Sequence, residues 1–200
     1  GAPGAAAASP ASSGEARALF AKVVEGLGGA ARVNEVKVYR EKATMLSKTP
    51  MGEQTVEAES WSWVSPPDRQ RQTINVNGMA VTRVLSPEAA FMATPMGVQD
   101  MPASQKEAAL RDQKLGLLVL AQKSADPRLG LAVAPGAKIG EVETRLLTVS
   151  FDGQEVKWFV DPANGHVLRR VAQAGAGEQT TEYSDFRMVN GMSVGFKRSI

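Results

Sequence analysis

The chain carries, at residues 69–86, the stretch RQRQTINVNGMAVTRVLS, in which two strand-like runs flank Asn77-Gly78. Asn-Gly accepts the positive φ angles of a tight type I′ turn, so this stretch predicts a β-hairpin. The same kind of signal recurs at Asp152-Gly153, Asn164-Gly165 and Asn190-Gly191. Four such turns predict a largely antiparallel sheet built from consecutive hairpins.

Strand-like segments fill most of the remaining sequence. The predicted strands lie at about 33–46, 53–64, 69–76, 79–86, 139–151, 154–161, 166–173, 178–189 and 192–200, with a short further piece at 89–93. Residues 123–137, which contain Asp126-Pro127 and Pro135-Gly136, are predicted to form a loop.

The first predicted helix begins with Ser12 and Glu15, which fit an S-x-x-E capping box. An apolar stripe follows at helical spacing, which predicts one buried face. The stripe consists of Ala16, Leu19, Phe20, Val23, Val24 and Leu27.

The second predicted helix begins near Ser104, with Glu107 completing another capping box. Its second half, residues 115–120, is apolar on every side. A helix of that kind must be enclosed. It is therefore either a core helix or a helix that lies between a sheet and a bound apolar ligand.

These elements predict an α+β fold that is mainly antiparallel β. The expected architecture is an incomplete, half-open β-barrel of about ten strands, with helices covering its concave face. Residues 15–200 are predicted to form this domain. Residues 1–14, which consist only of Ala, Gly, Pro and Ser, are predicted to be a disordered linker. That opening lacks the features of a signal peptide, so any targeting signal is expected upstream.

The composition excludes several kinds of chemistry. The chain of 200 residues has one histidine and no cysteine. Zinc motifs of the H-E-x-x-H type need two histidines, and no G-x-S-x-G, G-x-G-x-x-G or P-loop pattern is present. His166, at a predicted hairpin turn, is expected to be solvated. We therefore expect no catalytic site, no metal and no cofactor. The scattered charges, with a net charge of +2, also argue against a nucleic-acid partner.

Apolar surface remains as the candidate for function. Trp61 and Trp63 share one face of a strand, and Met79, Met92, Met96 and Met101 precede the second helix. Methionine suits adaptable apolar binding surfaces. The sequence allows two interpretations of these residues. They either fill an ordinary core or line an apolar cavity beneath a mobile lid. The candidate cavity residues are Trp61, Trp63, Ile74, Met79, Val81, Phe91, Met92, Leu115, Leu118, Trp158 and Phe186.

Two segments resemble the LolA/LolB-like lipoprotein carriers. The first runs from Trp63 through Ser65-Pro66-Pro67-Asp68 and Arg71 to Val81. The second runs from Trp158-Phe159-Val160-Asp161-Pro162 to Asn190-Gly191 and looks like the final hairpins of outer-membrane lipoprotein-sorting proteins.

This resemblance implies a half-barrel that keeps acyl chains away from water. It implies a periplasmic or otherwise extracytoplasmic location and a lipid or acylated protein as ligand. We also expect a monomer without a transmembrane segment, because the most apolar run, Leu115 to Ala121, is too short to span a bilayer. In the carriers an arginine after the Pro run helps to close the lid. Arg71 matches that spacing, four residues after Pro67, and Arg69 lies on the same face.

A second resemblance gives an alternative. Similar domains occur at the end of insulinase/pitrilysin-type zinc proteases. The chain would then be a non-catalytic structural or substrate-guiding domain whose partner is a neighbouring domain of the same polypeptide.

Overall fold

The computed structural model describes residues 13–50, 52–174 and 177–200. Its helices are α1 (Gly14–Leu27), α2 (Ala30–Glu35), α3 (Ala103–Lys114) and α4 (Leu117–Ala121). Its strands are β1 (Val38–Thr49), β2 (Gly52–Trp63), β3 (Gln70–Val76), β4 (Met79–Leu85), β5 (Ala90–Thr94), β6 (Gly97–Asp100), β7 (Gly130–Ile139), β8 (Val142–Phe151), β9 (Gln154–Val160), β10 (Val167–Ala174), β11 (Gly177–Val189) and β12 (Met192–Ser199).

The strands form two six-stranded sheets in which every neighbouring pair is antiparallel. Sheet A has the order β1-β2-β3-β4-β5-β6, and sheet B has the order β12-β11-β10-β9-β8-β7. The predicted α+β, mainly antiparallel class is confirmed. The half-open barrel of about ten strands is not confirmed: the described residues form twelve strands in two sheets, and β6 and β7, which α3 and α4 separate along the chain, do not pair.

Contacts divide the chain into two compact units. One contains residues 13–34 and Leu120–Ile200, and the other contains Glu35–Val119. Sheet B and α1 therefore belong to the first unit, and sheet A and α3 belong to the second. Among the residues that the structure describes, no helix has the length and apolar character needed to span a bilayer.

Helix α1 forms the core of the first unit with sheet B. Ser13 is its N-cap, and the Ser13 hydroxyl accepts a hydrogen bond from the Ala16 backbone N–H. The predicted cap residue, Ser12, lies outside the described residues. All six residues of the predicted apolar stripe are buried, as expected. The ring of Phe20 stacks on that of Trp158 at a centroid distance of 6.0 Å.

Two glycine contacts bring the backbone of α1 directly onto loops of sheet B. A methyl group at Gly165, whose φ is 76°, would overlap the carbonyl oxygen of Lys22 in α1. A methyl group at Gly28, at the end of the helix, would overlap the carbonyl oxygen of Gly191. At these points, therefore, no side chain separates helix from sheet.

Three of the four predicted turns are tight hairpins. Both residues have positive φ at Asn77-Gly78, Asp152-Gly153 and Asn190-Gly191, as a type I′ turn requires. Asn164-Gly165 instead lies in a longer loop between β9 and β10. There only Gly165 has a positive φ, and Asn164 Oδ1 accepts a hydrogen bond from the His166 backbone N–H at 2.9 Å.

Three elements differ from the predictions. Residues 30–35 are helical where a strand was expected from residue 33, because buried Val33 anchors a short helix after Gly29. Strand β6 lies within the approach to α3. Strand β7 occupies part of the predicted 123–137 loop; Pro135 is tolerated there because β7 is an edge strand with a register shift.

The second predicted helix is interrupted. Helix α3 ends at Lys114, and Leu115 and Gly116 separate it from α4. Its N-cap is Pro102, without the side-chain hydrogen bond that the Ser104 capping box predicted. The polar and apolar halves of the predicted helix are therefore two helices.

Candidate ligand-binding surfaces

Strand register assigns the side chains of sheet A to two opposite faces. Residues that face each other across antiparallel strands share a face, and neighbours along a strand alternate. We call the face that carries Ile74 the apolar face and the face that carries Trp61 the polar face. The predicted cavity residues of this sheet are distributed over both.

The apolar face carries a continuous row of apolar residues across four strands. Ala43 pairs with Ala58, Ala58 with Ile74, and Ile74 with Val81. All four residues are half-buried. The next row along the strands adds Met45, Val56, Val76 and Met79. We call these eight residues the apolar patch; within it Met79 is 57% exposed.

Burial increases toward the other end of the apolar face. Leu85 is 1% exposed and Ala90 is 8% exposed, and these two residues pair across β4 and β5. Between this buried end and the apolar patch lies half-buried Arg83, whose Nη2 donates to Gln70 Oε1 at 2.7 Å. Sequence reasoning missed Arg83, although its spacing of two residues from Val81 places it on the same face.

Two side chains of helix α3 donate hydrogen bonds to backbone carbonyl groups of the unit that contains sheet A. The helix contacts β4, yet none of its residues is buried. Gln113 Nε2 donates to the carbonyl oxygen of Trp63 at 3.1 Å and also to that of Arg69. Lys106 Nζ donates to the carbonyl oxygen of Pro87 at 2.5 Å. A helix held in this way can separate from its sheet without exposing a large apolar surface.

The polar face contains an open groove of about 550 Å³ across β1, β2 and β3. We call it the polar groove. Its side chains include Lys42, Glu57, Glu59, Trp61, Arg71 and Asn75. Arg40 lies beside it: its Nε contacts Glu59 Oε1 at 2.7 Å, and its guanidinium lies 5.4 Å from the centre of the Trp61 ring. Hydrogen bonding to Arg40 lowers the pKa of Glu59.

The predicted cavity residues do not all lie together. Trp61, Trp63 and Phe91 are on the polar face, and Ile74, Met79, Val81 and Met92 are on the apolar face. Leu115, at the end of α3, is buried, and Leu118 of α4 is half-buried. The proposed latch, Arg71, pairs with Trp61 and is exposed in the polar groove.

Two predicted cavity residues lie in sheet B. Trp158 is completely buried against Phe20 and forms part of the core. Phe186 stacks on the His166 ring, with 4.1 Å between the ring centres.

The sequence predicted a solvated His166, but the side chain is half-buried. In addition to Phe186 it contacts Ser193, with 3.1 Å between Nε2 and Oγ. Burial lowers the pKa of His166, and the charge of Asp161 partly opposes this shift. Among the described residues, no group of three or more carboxylate or histidine side chains could hold a metal ion.

Comparison with solved structures identifies the fold. A domain from Vibrio parahaemolyticus, described as of the outer membrane lipoprotein-sorting type, matches with a TM-score of 0.55 at 10% identity over 92% of this chain and 83% of that one. A DUF1329 family protein from Desulfovibrio piger matches with a TM-score of 0.54 at 11% identity over 90% and 83%. A LolA superfamily protein from Nitrosomonas europaea matches with a TM-score of 0.50 at 12% identity over 88% and 80%.

The chain has a LolA-type fold. The expected resemblance to lipoprotein-sorting domains is therefore confirmed at the level of fold. No family model matches the sequence, and no curated protein matches it significantly. At a sequence identity of 10%, the shared fold does not establish a shared function. Function must therefore be argued from the candidate site.

Proposed function

We propose that the protein binds apolar ligands, such as a lipid or the acyl chains of a lipoprotein, without catalysing a reaction. The apolar patch carries this proposal, because its apolar row across four strands is only partly buried and Met79 beside it is 57% exposed. Exposed apolar patches of this kind mark binding surfaces. The LolA-type fold adds support, since one of the similar structures is described as a lipoprotein-sorting domain. An extracytoplasmic location and a monomeric state are part of the proposal.

Burial of an acyl chain would supply the affinity. Each CH₂ group removed from water contributes about 0.8 kcal/mol. The flexible side chains of Met45 and Met79 at the edge of the apolar patch can adapt to chains of different shape. No charged group is needed for this part of the interaction.

Helix α3 is the proposed lid. Gln113 and Lys106 donate its side-chain hydrogen bonds to neighbouring backbone carbonyl groups, and no residue within Ala103–Lys114 is fully buried, so displacement of this helix exposes little apolar surface. Leu115 and Leu118, which follow it, are proposed to contact the ligand when the lid is displaced. The latch role of Arg71 stays a prediction. Its position on the polar face makes Gln113 the better-placed candidate.

Binding of a fluorescent fatty acid, cis-parinaric acid, to detergent-free protein tests the proposal. We expect saturable binding that Val81→Asn weakens, because Val81 lies in the apolar row. Ala80→Asn is the matched control, since Ala80 is the preceding residue on the polar face. Absence of saturable binding to folded protein would contradict the proposal, as would equal effects of the two substitutions.

Release kinetics test the latch. Gln113→Ala is expected to speed release of cis-parinaric acid, because α3 loses both hydrogen bonds from that side chain. Arg71→Leu tests the original expectation in the same assay. Faster release from Arg71→Leu but not from Gln113→Ala would restore Arg71 as the latch.

The alternative, a non-catalytic appendage of a zinc peptidase, also stays a prediction. It is tested by the coding sequence upstream of residue 1. A peptidase domain encoded there in the same reading frame would favour it, whereas a signal peptide or lipobox would favour the carrier.

A further inference from the structure

The polar groove lies on the opposite face of sheet A from the apolar patch, so the proposed binding of acyl chains does not use it. Its volume of about 550 Å³ is within the range of small-molecule sites. Its side chains project from three paired strands, which hold them more rigidly than loops would.

Trp61 supplies a flat, partly exposed ring at one end of the groove. It is 39% exposed, which is unusual for a residue with so large an apolar surface. Arg40 is held near the ring by its ion pair with Glu59. Glu59 lies two residues before Trp61 on the same face of β2. The ring is thus fixed in orientation while much of its surface remains open to a ligand.

The charges in the groove are only partly neutralised. Arg40 forms an ion pair with Glu59, and Lys42, which pairs with Glu59 across the strands, adds its charge to the same carboxylate; Arg71 has no carboxylate within 4.0 Å among the described residues. Glu57 is the remaining carboxylate of the groove. The groove therefore carries one positive charge in excess, together with the amide of Asn75 as both donor and acceptor.

We propose that the polar groove binds an acidic oligosaccharide. One face of a sugar ring would pack on Trp61, and the carboxylate of the sugar would be held by Arg71 and Lys42. Glu57 and Asn75 would accept hydrogen bonds from the sugar hydroxyls. Arginine and lysine form their strongest hydrogen bonds with anionic acceptors, which explains the preference for an acidic sugar.

The carboxylate of Glu57 argues against a nucleotide or another polyphosphate. Glu59 is paired with Arg40, but Glu57 lies in the same groove and would repel a densely charged phosphate chain. A sugar acid carries a single charge per ring, which Arg71 and Lys42 can accept while its hydroxyls bind the carboxylate side of the groove.

Titration with trigalacturonic acid, followed through the indole N–H signals of ¹⁵N-labelled protein, tests the proposal. The chain has three tryptophans, and Trp61→Phe assigns the signal of interest. We expect that signal to shift saturably. Maltotriose, a neutral trisaccharide, should bind about tenfold more weakly, because it lacks the carboxylate.

Two variants, each of which removes one positive charge, test whether the charge inside the groove is the one that matters. Arg71→Gln should remove the preference for trigalacturonic acid over maltotriose. Arg69→Gln should retain it, because Arg69 lies near Asp68 and Glu88, outside the groove. Lys42→Gln should also weaken binding of trigalacturonic acid, because Lys42 lines the groove, but it should leave binding of cis-parinaric acid unchanged, so failure of this inference and failure of the proposed function are distinguishable.

Three results would overturn the inference. The first is the absence of a saturable shift of the Trp61 signal with trigalacturonic acid. The second is equal affinity for maltotriose. The third is an equal shift with ATP or citrate at the same concentration, which would indicate general attraction of anions.

Discussion

The pKa of His166 shows how the surroundings of a single residue affect its protonation. It is the only histidine, and its ring lies between Phe186 and the hydroxyl of Ser193. Burial lowers its pKa from the ordinary value of 6.5 despite the nearby charge of Asp161. The folded state therefore favours the neutral ring.

The stabilisation from neutral His166 should depend on pH. It is fully present above the unfolded-state pKa of 6.5 and is lost as the pH falls through the lower folded-state pKa. The difference in melting temperature between the wild type and His166→Gln should therefore narrow between about pH 7.5 and about pH 5. A constant or widening difference would show that folding does not disfavour the charged ring.

Gly165 provides a second prediction at this scale. Gly165→Ala should destabilise the protein by about 3 kcal/mol or more, because positive φ and overlap with the carbonyl oxygen of Lys22 act together. Gly153→Ala is the control: its φ is similar, but the space around it is open, so it should cost about 1–2 kcal/mol. Urea unfolding measures both, and equal costs would argue against the close contact.

At the scale of elements, the two longest helices are held in different ways. Helix α1 buries six residues against its surroundings, whereas α3 buries none. Amide hydrogen exchange should therefore be faster in α3 than in α1. Saturation with cis-parinaric acid should change exchange in α3 more than in α1, since α3 is the proposed lid. Equal protection of both helices would contradict this difference.

The sequence predicts those elements best whose signals are local. The stripe of α1 is one example, because burial at helical spacing needs no knowledge of distant residues. The turn at Asn77-Gly78 is another, since both φ angles follow from the dipeptide. Helix α2 was missed because one buried residue, Val33, gives no periodicity. Strand β7 was missed because Pro135 indicates a loop unless the strand is known to be at an edge.

At the scale of the whole molecule, the candidate site was only partly predictable. The sequence shows how side chains alternate between the two faces of each strand. It does not show the register in which neighbouring strands pair. Ile74 and Trp61 were both candidates for one cavity, yet the register places them on opposite faces. The number of sheets could not be predicted from local sequence signals either. It depends on whether strands pair across the long connection between β6 and β7.

The absence of a metal requirement is a prediction about the molecule as a whole. The described residues provide no cluster of three metal-binding side chains, and the sequence has no cysteine. Treatment with EDTA should therefore leave the melting temperature unchanged, and purified protein should contain no stoichiometric zinc. One zinc ion per chain, measured by elemental analysis, would contradict this prediction.

The direct backbone contacts of α1 limit which substitutions this sequence can accept. Side chains at an interface can be exchanged in compensating pairs, but carbonyl oxygens that meet Gly28 and Gly165 leave nothing to exchange. Drift can thus replace most of the chain while these two positions stay fixed. In a saturation library selected for folding, Gly28 and Gly165 should tolerate almost no replacement, whereas open turn positions such as Gly78 should accept several.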